Sequence, residues 1–156
     1  MASLSNSAAA ETPAQPWHAA YPAPKCTAPV LSRLEVLKWL REGRKDFVLV
    51  DLRRADFEGG TICGSLNLPA QTLYPSLPTL YSVLSGANVK RVIWYCGSCG
   101  GRGTRAAAWF ADYIESQQDT ALKSFALEGG IKGWVASGSE YTEWMDGYDA
   151  SSWAST

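Results

Sequence analysis

Two continuous apolar runs constrain the fold of this 156-residue chain more than any other feature. Residues 47–52 and 91–95 do not alternate with polar residues, which is typical of strands buried on both faces of a parallel sheet. Residues 65–68 and 124–127 predict two shorter strands. Since helical segments separate these strands, the pattern predicts an α/β fold with a mostly parallel sheet and helices on both of its faces.

The first helix is predicted from its capping residues. Ser32 is followed three positions later by Glu35, which is the capping-box pattern of a helix start, and Gly43 ends the helix. Its apolar face is predicted to contain Leu34, Leu37 and Leu40. Further helices are predicted at residues 77–85, 104–116 and 131–136.

These elements predict one domain between residues 30 and 137. Residues 1–29 contain five prolines, which break helices and predict an extended or disordered N-terminal tail that Trp17 and Tyr21 would pin to the domain. Residues 138–156 form an aromatic extension that we expect to pack on the domain.

Composition excludes several classes of function. The net charge is −1, without the basic excess that a nucleic-acid or membrane-surface partner requires. No apolar run approaches the roughly 20 residues of a membrane span. Residues 1–10 lack the basic start and apolar core of a secretory signal, so a cytoplasmic location is expected.

The cysteines and the single histidine favour nucleophilic chemistry over a metal site. The chain has four cysteines, which in a cytosolic protein of this size do not form a disulfide framework. His18, the only histidine, lies in the predicted tail, so neither a Cys–His pair in the core nor a Cys/His zinc site is expected.

The segment after the second apolar run has the composition of an anion-binding loop. Cys96 ends the predicted strand, and glycines then allow successive backbone N–H groups to turn toward one point ahead of the next helix. The same field lowers the pKa of a thiol, and Arg102 adds a planar fork that matches an oxyanion. The predicted loop consists of Gly97, Ser98, Cys99, Gly100, Gly101 and Arg102.

This combination predicts that Cys96 is a nucleophile. A thiolate, a ring of N–H donors and one arginine are what attack on phosphate, arsenate or thiosulfate requires. The alternative is that Cys96 is a buried structural thiol and that the glycines only form a turn.

Three motifs, in order, resemble the rhodanese superfamily over about residues 30–137. They are Val50-Asp-Leu-Arg53 with Gly60-Thr-Ile-Cys-Gly-Ser-Leu-Asn-Leu-Pro69, the Cys96 loop, and Leu127-Glu-Gly-Gly-Ile-Lys-Gly-Trp134. The resemblance implies a rhodanese-like fold, with a five-stranded, mainly parallel sheet and helices on both faces. Within it, Asp51 and Arg53 are expected to form a buried ion pair that braces the loops.

The length of the loop distinguishes branches of that superfamily. Sulfurtransferases usually place four residues between the cysteine and the arginine, whereas cell-cycle dual-specificity phosphatases and eukaryotic arsenate reductases place five, as here. Cys96, Arg102, Gly103 and Arg105 match the latter pattern, and Thr104 replaces its proline. Tyr95 departs from it, because those enzymes usually have histidine at this position and many sulfurtransferases have tyrosine.

Cys99 admits two interpretations. It is a candidate resolving thiol, since the Cys96-x-x-Cys99 spacing allows a disulfide, or it simply occupies a small position in the loop. A second register, with Cys99 as nucleophile and Arg105 as clamp, also fits the spacing. That register is disfavoured because it moves the nucleophile away from the strand end and puts the clamp inside the helix.

The resemblance implies an arsenate reductase or a related phosphatase that acts through Cys96 and Arg102. No bound cofactor or metal is expected, and glutathione with glutaredoxin would supply the reducing thiols. One alternative is a thiosulfate-type sulfurtransferase that forms a persulfide on Cys96. A second alternative is a non-enzymatic redox-sensing module.

The remaining polar and aromatic residues are mostly expected to be structural. Glu58 and Glu128 lie near turns and are candidates for a general acid, and Cys63 is expected to be inert. Aromatic residues that we expect to pack in the core or on the domain are Trp109, Phe110, Tyr113, Trp134, Tyr141, Trp144, Tyr148 and Trp153.

Overall fold

A computed structural model describes residues 15–98 and 100–154 of the chain. Its centre is a five-stranded sheet in the order β1-β6-β5-β2-β4, in which every neighbouring pair is parallel. The strands are β1 (Val30–Leu31), β2 (Phe47–Asp51), β4 (Leu66–Asn67), β5 (Arg91–Tyr95) and β6 (Lys123–Leu127). A separate antiparallel pair joins β3 (Thr61–Ile62) to β7 (Met145–Asp146).

Helices lie on both faces of the sheet, as predicted. They are α1 (Arg33–Arg41), α2 (Ala70–Leu73), α3 (Leu77–Gly86), α4 (Arg102–Ser116), α5 (Gly130–Ala136) and α6 (Ser139–Thr142), with 3₁₀ turns at Tyr74–Ser76 and Ala150–Ser152. The predicted α/β class and sheet are therefore confirmed. The helix predicted from residue 104 begins two residues earlier, at Arg102, so the arginine of the loop is also the first residue of α4.

The core consists of two layers because successive side chains of a strand point to opposite faces. On one face, Val92 and Trp94 of β5 pack against α4, with Phe110 fully buried. On the other face, Ile93 and Tyr95 pack against α1 and α5. Burial on both sides explains why the sequence of β5 is continuously apolar.

The N-terminal cap predicted for α1 is confirmed, but the apolar face predicted for it is partly wrong. The Glu35 N–H donates to Ser32 Oγ at 3.2 Å, whereas the Glu35 carboxylate accepts from Trp39 Nε1 instead of closing the capping box. Val36 and Leu37 are fully buried, but Leu34 is 56% exposed, so its predicted place on the inward face was wrong. The reason is that Trp39 turns toward the core, where it packs on Phe47, and rotates the buried arc away from Leu34.

The segment before the sheet crosses the outer surface of α4. Residues 15–29 contain no helix or strand. Trp17 and Tyr21 meet the Trp109 ring edge-on at centroid distances of 5.7 Å and 5.9 Å. Trp109 Nε1 donates to the Pro22 carbonyl at 2.9 Å, so this segment covers a side chain of the helix that begins at Arg102.

The C-terminal segment packs on the opposite face. Trp134 is fully buried and its Nε1 donates to the Tyr141 carbonyl at 2.7 Å. Trp153 Nε1 donates to the Gly59 carbonyl at 3.0 Å, and a Cβ on Gly59 would collide with that indole. The end of the chain therefore holds the loop that follows β2.

Asp51 and Arg53 form the predicted buried ion pair. Their side chains are 0% and 2% exposed, and Arg53 Nη2 donates to Asp51 Oδ2 at 2.8 Å. Arg53 also donates to the carbonyls of Glu58 (2.9 Å) and Gly60 (2.7 Å). One guanidinium thus neutralises a buried carboxylate and satisfies the backbone of the loop beside it.

No helix within residues 15–98 and 100–154 has both the length and the apolar character that crossing a bilayer requires.

Replacing Arg53 by leucine should lower the free energy of unfolding by about 3–5 kcal/mol, because the Asp51 carboxylate would stay buried without its partner. Urea unfolding followed by circular dichroism measures the difference. The matched control is Arg41→Ala, since the ion pair of Arg41 with Glu140 is exposed and spans 3.8 Å. That variant should change the free energy by no more than about 1 kcal/mol, and an equally mild Arg53→Leu would contradict the bracing role.

Candidate active site

The candidate site lies at the carboxyl edge of the parallel sheet, where ligands of such folds usually bind. Cys96 directly follows β5 and is 3% exposed. The loops that follow β2 and β6 reach the same edge because these strands flank β5 in parallel.

The start of α5 orients the loop after Cys96. The N–H groups of Ile131 and Lys132 donate to the carbonyls of Cys96 and Gly97, both at 3.0 Å. Because C=O and N–H point in opposite directions across a trans peptide, the N–H groups of Gly97 and Ser98 face away from α5.

A glycine at position 130 makes that approach feasible. Its φ is +59°, and a Cβ there would lie 2.7 Å from the Cys96 carbonyl oxygen and 2.9 Å from that of Gly97. Both the backbone conformation and the close contact therefore require glycine. This is a physical role for the Gly129-Gly130 pair that the sequence analysis singled out only by resemblance.

The start of α4 closes the other side of the loop. Gly101, the residue before the helix, has no side chain that could cap it, and the first turn contains no acidic residue. The N-terminal N–H groups of a helix lack intrahelical partners and favour negative charge. Gly103 lets the helix approach β5, since a Cβ there would lie 3.3 Å from Tyr95 Cα. This 15-residue helix thus points its positive end at the loop.

Arg102 lies beside Cys96 and pairs with Asp56. Its Nη1 and Nη2 donate to Asp56 Oδ1 and Oδ2 at 2.9 Å and 2.5 Å. The hydrogen bond that Arg102 donates to Asp56 is the main cause that raises the pKa of Arg102, and the charge and hydrogen bonding of Cys96 raise it further. The structure therefore brings the two predicted catalytic residues together.

Asp56 is a site residue that the sequence analysis missed. The Arg102 guanidinium holds the pKa of the Asp56 carboxyl well below its usual range. Of the predicted candidates for an acid, Glu128 pairs with Arg33 at 3.1 Å, and Glu58 lies exposed in the same loop as Asp56. The sequence signal for Asp56 was an acidic residue in the loop after β2. The parallel topology brings this loop to the edge of the sheet at which Cys96 lies.

The loop has a second cation at its rim. A Cβ added to Gly97 would lie 3.8 Å from both Arg102 Nη2 and Lys132 Cε. The Cys96 thiol itself donates to the Ser98 carbonyl at 2.7 Å.

Tyr95, which stands where related enzymes have histidine, does not face the thiol. Its side chain lies in the core on the α1 and α5 face, while Cys96 packs on the α4 face. The hydroxyl shares hydrogen bonds with Thr61 Oγ1 (2.7 Å) and Ser65 Oγ (2.6 Å) and accepts from the Ile62 N–H. Burial raises the pKa of Tyr95, so it stays neutral and links β5 to β3.

Cys26 and Cys63 are not set up to react. Burial and a hydrogen bond with Asp146 raise the pKa of Cys63 to about 11. Cys26 donates to Glu115 at 2.8 Å, and hydrogen bonds with Asp112 and Glu115 raise its pKa to about 12. Cys99, the predicted resolving thiol, lies outside the residues that the structure describes, so its role stays a prediction.

Within the described part of the chain, no group of three or more His, Cys, Asp or Glu side chains could hold a metal ion.

Comparison with known proteins identifies the family. The sequence profile of the rhodanese-like domain matches residues 32–137. Arsenical-resistance protein 2 of Saccharomyces cerevisiae is 33% identical over 106 residues, which cover 63% of this chain and 82% of the yeast protein.

Two solved structures share the fold. Ygr203w, a yeast protein tyrosine phosphatase of the rhodanese family, superposes with a TM-score of 0.70 at 23% identity, covering 82% of this chain and 98% of its own. The As-Sb reductase from Leishmania major superposes with a TM-score of 0.69 at 17% identity, covering 76% and 84%. At these identities the superpositions establish the fold alone.

Iodoacetamide at pH 8 should modify Cys63 at least about 10-fold more slowly in the folded protein than in the urea-unfolded chain. The rise of its pKa from 9.0 to about 11 reduces the thiolate fraction about 100-fold. The greater nucleophilicity of a more basic thiolate offsets part of that loss. Mass spectrometry of peptides measures the rate, which should increase as the pH approaches 11. Equal rates in the folded and unfolded protein would contradict the inert environment.

Tyr95→Phe should destabilise the protein by about 1–3 kcal/mol, because the Ile62 N–H and two hydroxyls lose a buried partner. The rate at which iodoacetamide modifies Cys96 should stay within twofold of the wild type. A large change in that rate would show that Tyr95 tunes the thiol.

Proposed function

The chain belongs to the family of rhodanese-like domains, and on that premise we propose that it is a cysteine enzyme that reduces arsenate to arsenite. The observation that supports this most is the convergence of Cys96, the Arg102 guanidinium and the uncapped start of α4 on one five-residue loop. A nucleophile, a cationic fork and backbone donors are the three groups that a tetrahedral oxyanion requires.

In the first step the Cys96 thiolate attacks the arsenic atom of arsenate. A sulfur–arsenic bond forms, and one arsenate oxygen leaves as water after taking protons that the substrate itself carries. Arg102 and the N–H groups of the loop stabilise the negative charge of the remaining oxygens. Lys132, at the rim, adds attraction for the incoming anion.

In the second step a thiolate attacks the sulfur of Cys96. The sulfur–arsenic bond breaks with its electron pair on arsenic, which is thereby reduced to arsenite, and Cys96 is left in a disulfide. The attacking thiol is glutathione or Cys99, whose place in the sequence, three residues after Cys96, suits a resolving role. Glutathione and glutaredoxin then restore the thiol, a requirement that a reducing cytoplasm would meet.

A phosphatase is the second candidate, in which water hydrolyses a cysteinyl-phosphate. The arrangement of Asp56 favours the reductase over it. An ester leaving group benefits from a protonated acid, whereas the pairing with Arg102 keeps the Asp56 carboxyl ionised at neutral pH. Arsenate needs no such residue, because its leaving hydroxyl can take the second proton from another hydroxyl of the same ion and depart as water.

Sulfur transfer receives less support. Tyr95 was the feature that pointed to it, and that side chain lies on the other face of the sheet from Cys96. A loop with five residues between cysteine and arginine also suits a larger ion than a single transferred sulfur atom. The name of the curated relative, Arsenical-resistance protein 2, supports an arsenic oxyanion as the substrate.

The decisive test offers arsenate, a phosphate-ester reporter and thiosulfate to the same preparation, with glutathione and glutaredoxin present. Arsenate reduction should be measurable and should fall below detection in Cys96→Ser. Impaired turnover in Cys99→Ser would identify Cys99 as the attacking thiol, and unimpaired turnover would identify glutathione. Cys63→Ser, the matched control, should leave turnover within twofold of the wild type.

Other results would replace the proposal. Turnover of thiosulfate alone, with an additional sulfur on Cys96 by mass spectrometry, would identify a sulfurtransferase. Reversible oxidation of Cys96 without any turnover would identify a redox-sensing module. Arsenate reduction that survives in Cys96→Ser would exclude the mechanism.

A further inference from the structure

We infer that Asp56 is a positioning residue, which orients Arg102 so that one edge of its guanidinium faces the oxyanion at Cys96. This inference deepens the proposed function and rests on it. The pair is formed by residues 46 positions apart in the sequence, so it exists only because the fold brings the two loops together.

The pairing occupies one defined edge of the guanidinium. Asp56 Oδ1 accepts from Nη1 and Oδ2 from Nη2, which uses one N–H of each terminal nitrogen. Arginine has five N–H donors in a rigid plane, so the adjacent edge, formed by Nε and the second N–H of Nη2, is not used by Asp56. Nη2 belongs to both edges and borders the loop at Gly97. The adjacent edge is therefore the one available to an oxyanion.

The fold holds the Asp56 carboxylate in place. Its Oδ1 accepts from the Arg54 N–H at 3.0 Å, and its carbonyl accepts from the buried Arg53 at 3.4 Å. Farther along the same loop, Trp153 donates to the Gly59 carbonyl at 3.0 Å. Exposed ion pairs usually contribute little because both side chains must be ordered. Here one partner is already ordered by backbone contacts, which makes it suitable for orienting the other.

A carboxylate in this place has two opposite effects on an anionic substrate. Its charge offsets that of Arg102 and so weakens the attraction for any oxyanion. Its geometry fixes the plane of the guanidinium, which matters most when charge develops during attack by the thiolate. If Asp56 acts by positioning, removal of its charge should slow the chemical step without weakening the affinity for an anion.

Asp56→Asn tests this with little change of shape. The kcat for arsenate should fall at least fivefold, whereas the Kd for inorganic phosphate, measured by calorimetry, should stay unchanged or decrease. Asp56→Glu restores the charge and should recover part of the lost kcat. Glu58→Gln is the matched control, since it removes one negative charge from the same loop at an exposed position, and its kcat should stay within twofold.

Three results would overturn the inference. One is a fall in kcat of less than fivefold in Asp56→Asn. Another is phosphate binding that weakens in parallel with kcat, since that would mean the loop had merely lost its structure. The third is an equal loss of kcat in Glu58→Gln, since that would show that the loss of one negative charge, and not the orientation of Arg102, lowers kcat.

A reporter that needs no turnover separates this inference from the proposed function. Iodoacetate carries a carboxylate that Arg102 can hold beside Cys96, whereas iodoacetamide does not. The rate at which iodoacetate modifies Cys96, divided by the rate for iodoacetamide, should fall at least threefold in Asp56→Asn relative to Glu58→Gln. If the wild type reduces no arsenate but this ratio falls, the proposed function fails and the positioning role stands. An unchanged ratio overturns the positioning role.

Discussion

The buried pair of Asp51 and Arg53 supports both sides of the candidate site. Asp51 Oδ2 accepts from Thr61 Oγ1 at 2.8 Å, and Thr61 shares a hydrogen bond with the hydroxyl of Tyr95, the residue before Cys96. Arg53 binds the carbonyls of the loop that contains Asp56. The strand that ends at the thiol and the loop that orients the guanidinium therefore belong to one polar network. In such a buried network each partner makes the loss of another more costly.

Glycines and helix ends shape the chemistry of the loop more than charged side chains do. The start of α5 binds the carbonyls of Cys96 and Gly97, which directs the following N–H groups away from α5. The start of α4 contributes its own N–H groups without a competing cap. Arg102 is the one formal charge that the loop itself supplies between Cys96 and Gly103, and Asp56 and Lys132 reach it from neighbouring segments.

Sequence reasoning succeeded where the signal was local. The run 91–95 placed Cys96 at the end of a buried strand because a continuous apolar segment demands burial on both faces, and the glycines and Arg102 followed within a few residues. It failed where the structure depends on distant partners. Asp56 could not be assigned without knowing that Arg53 folds its loop toward β5. Tyr95 adjoins the thiol in sequence and stands where related enzymes have histidine, whereas the alternation of a strand turns its side chain to the opposite face. The prediction that Leu34 faces the core was wrong because Trp39 sets the rotation of α1.

The packing of Trp109 bears on where the folding unit of this protein begins and ends. The rhodanese-like profile spans residues 32–137. The indole of Trp109 is nevertheless covered by Trp17, Tyr21 and the Pro22 carbonyl, which all lie before the start of the profile. Beyond the end of the profile, β7 pairs with β3 and Trp153 donates to the Gly59 carbonyl. A fragment trimmed to the profile would expose a large aromatic surface on the helix that begins at Arg102 and would release the loop that contains Asp56. The contacts that cover Trp109 and hold the loop of Asp56 therefore extend beyond the residues that the profile matches on both sides.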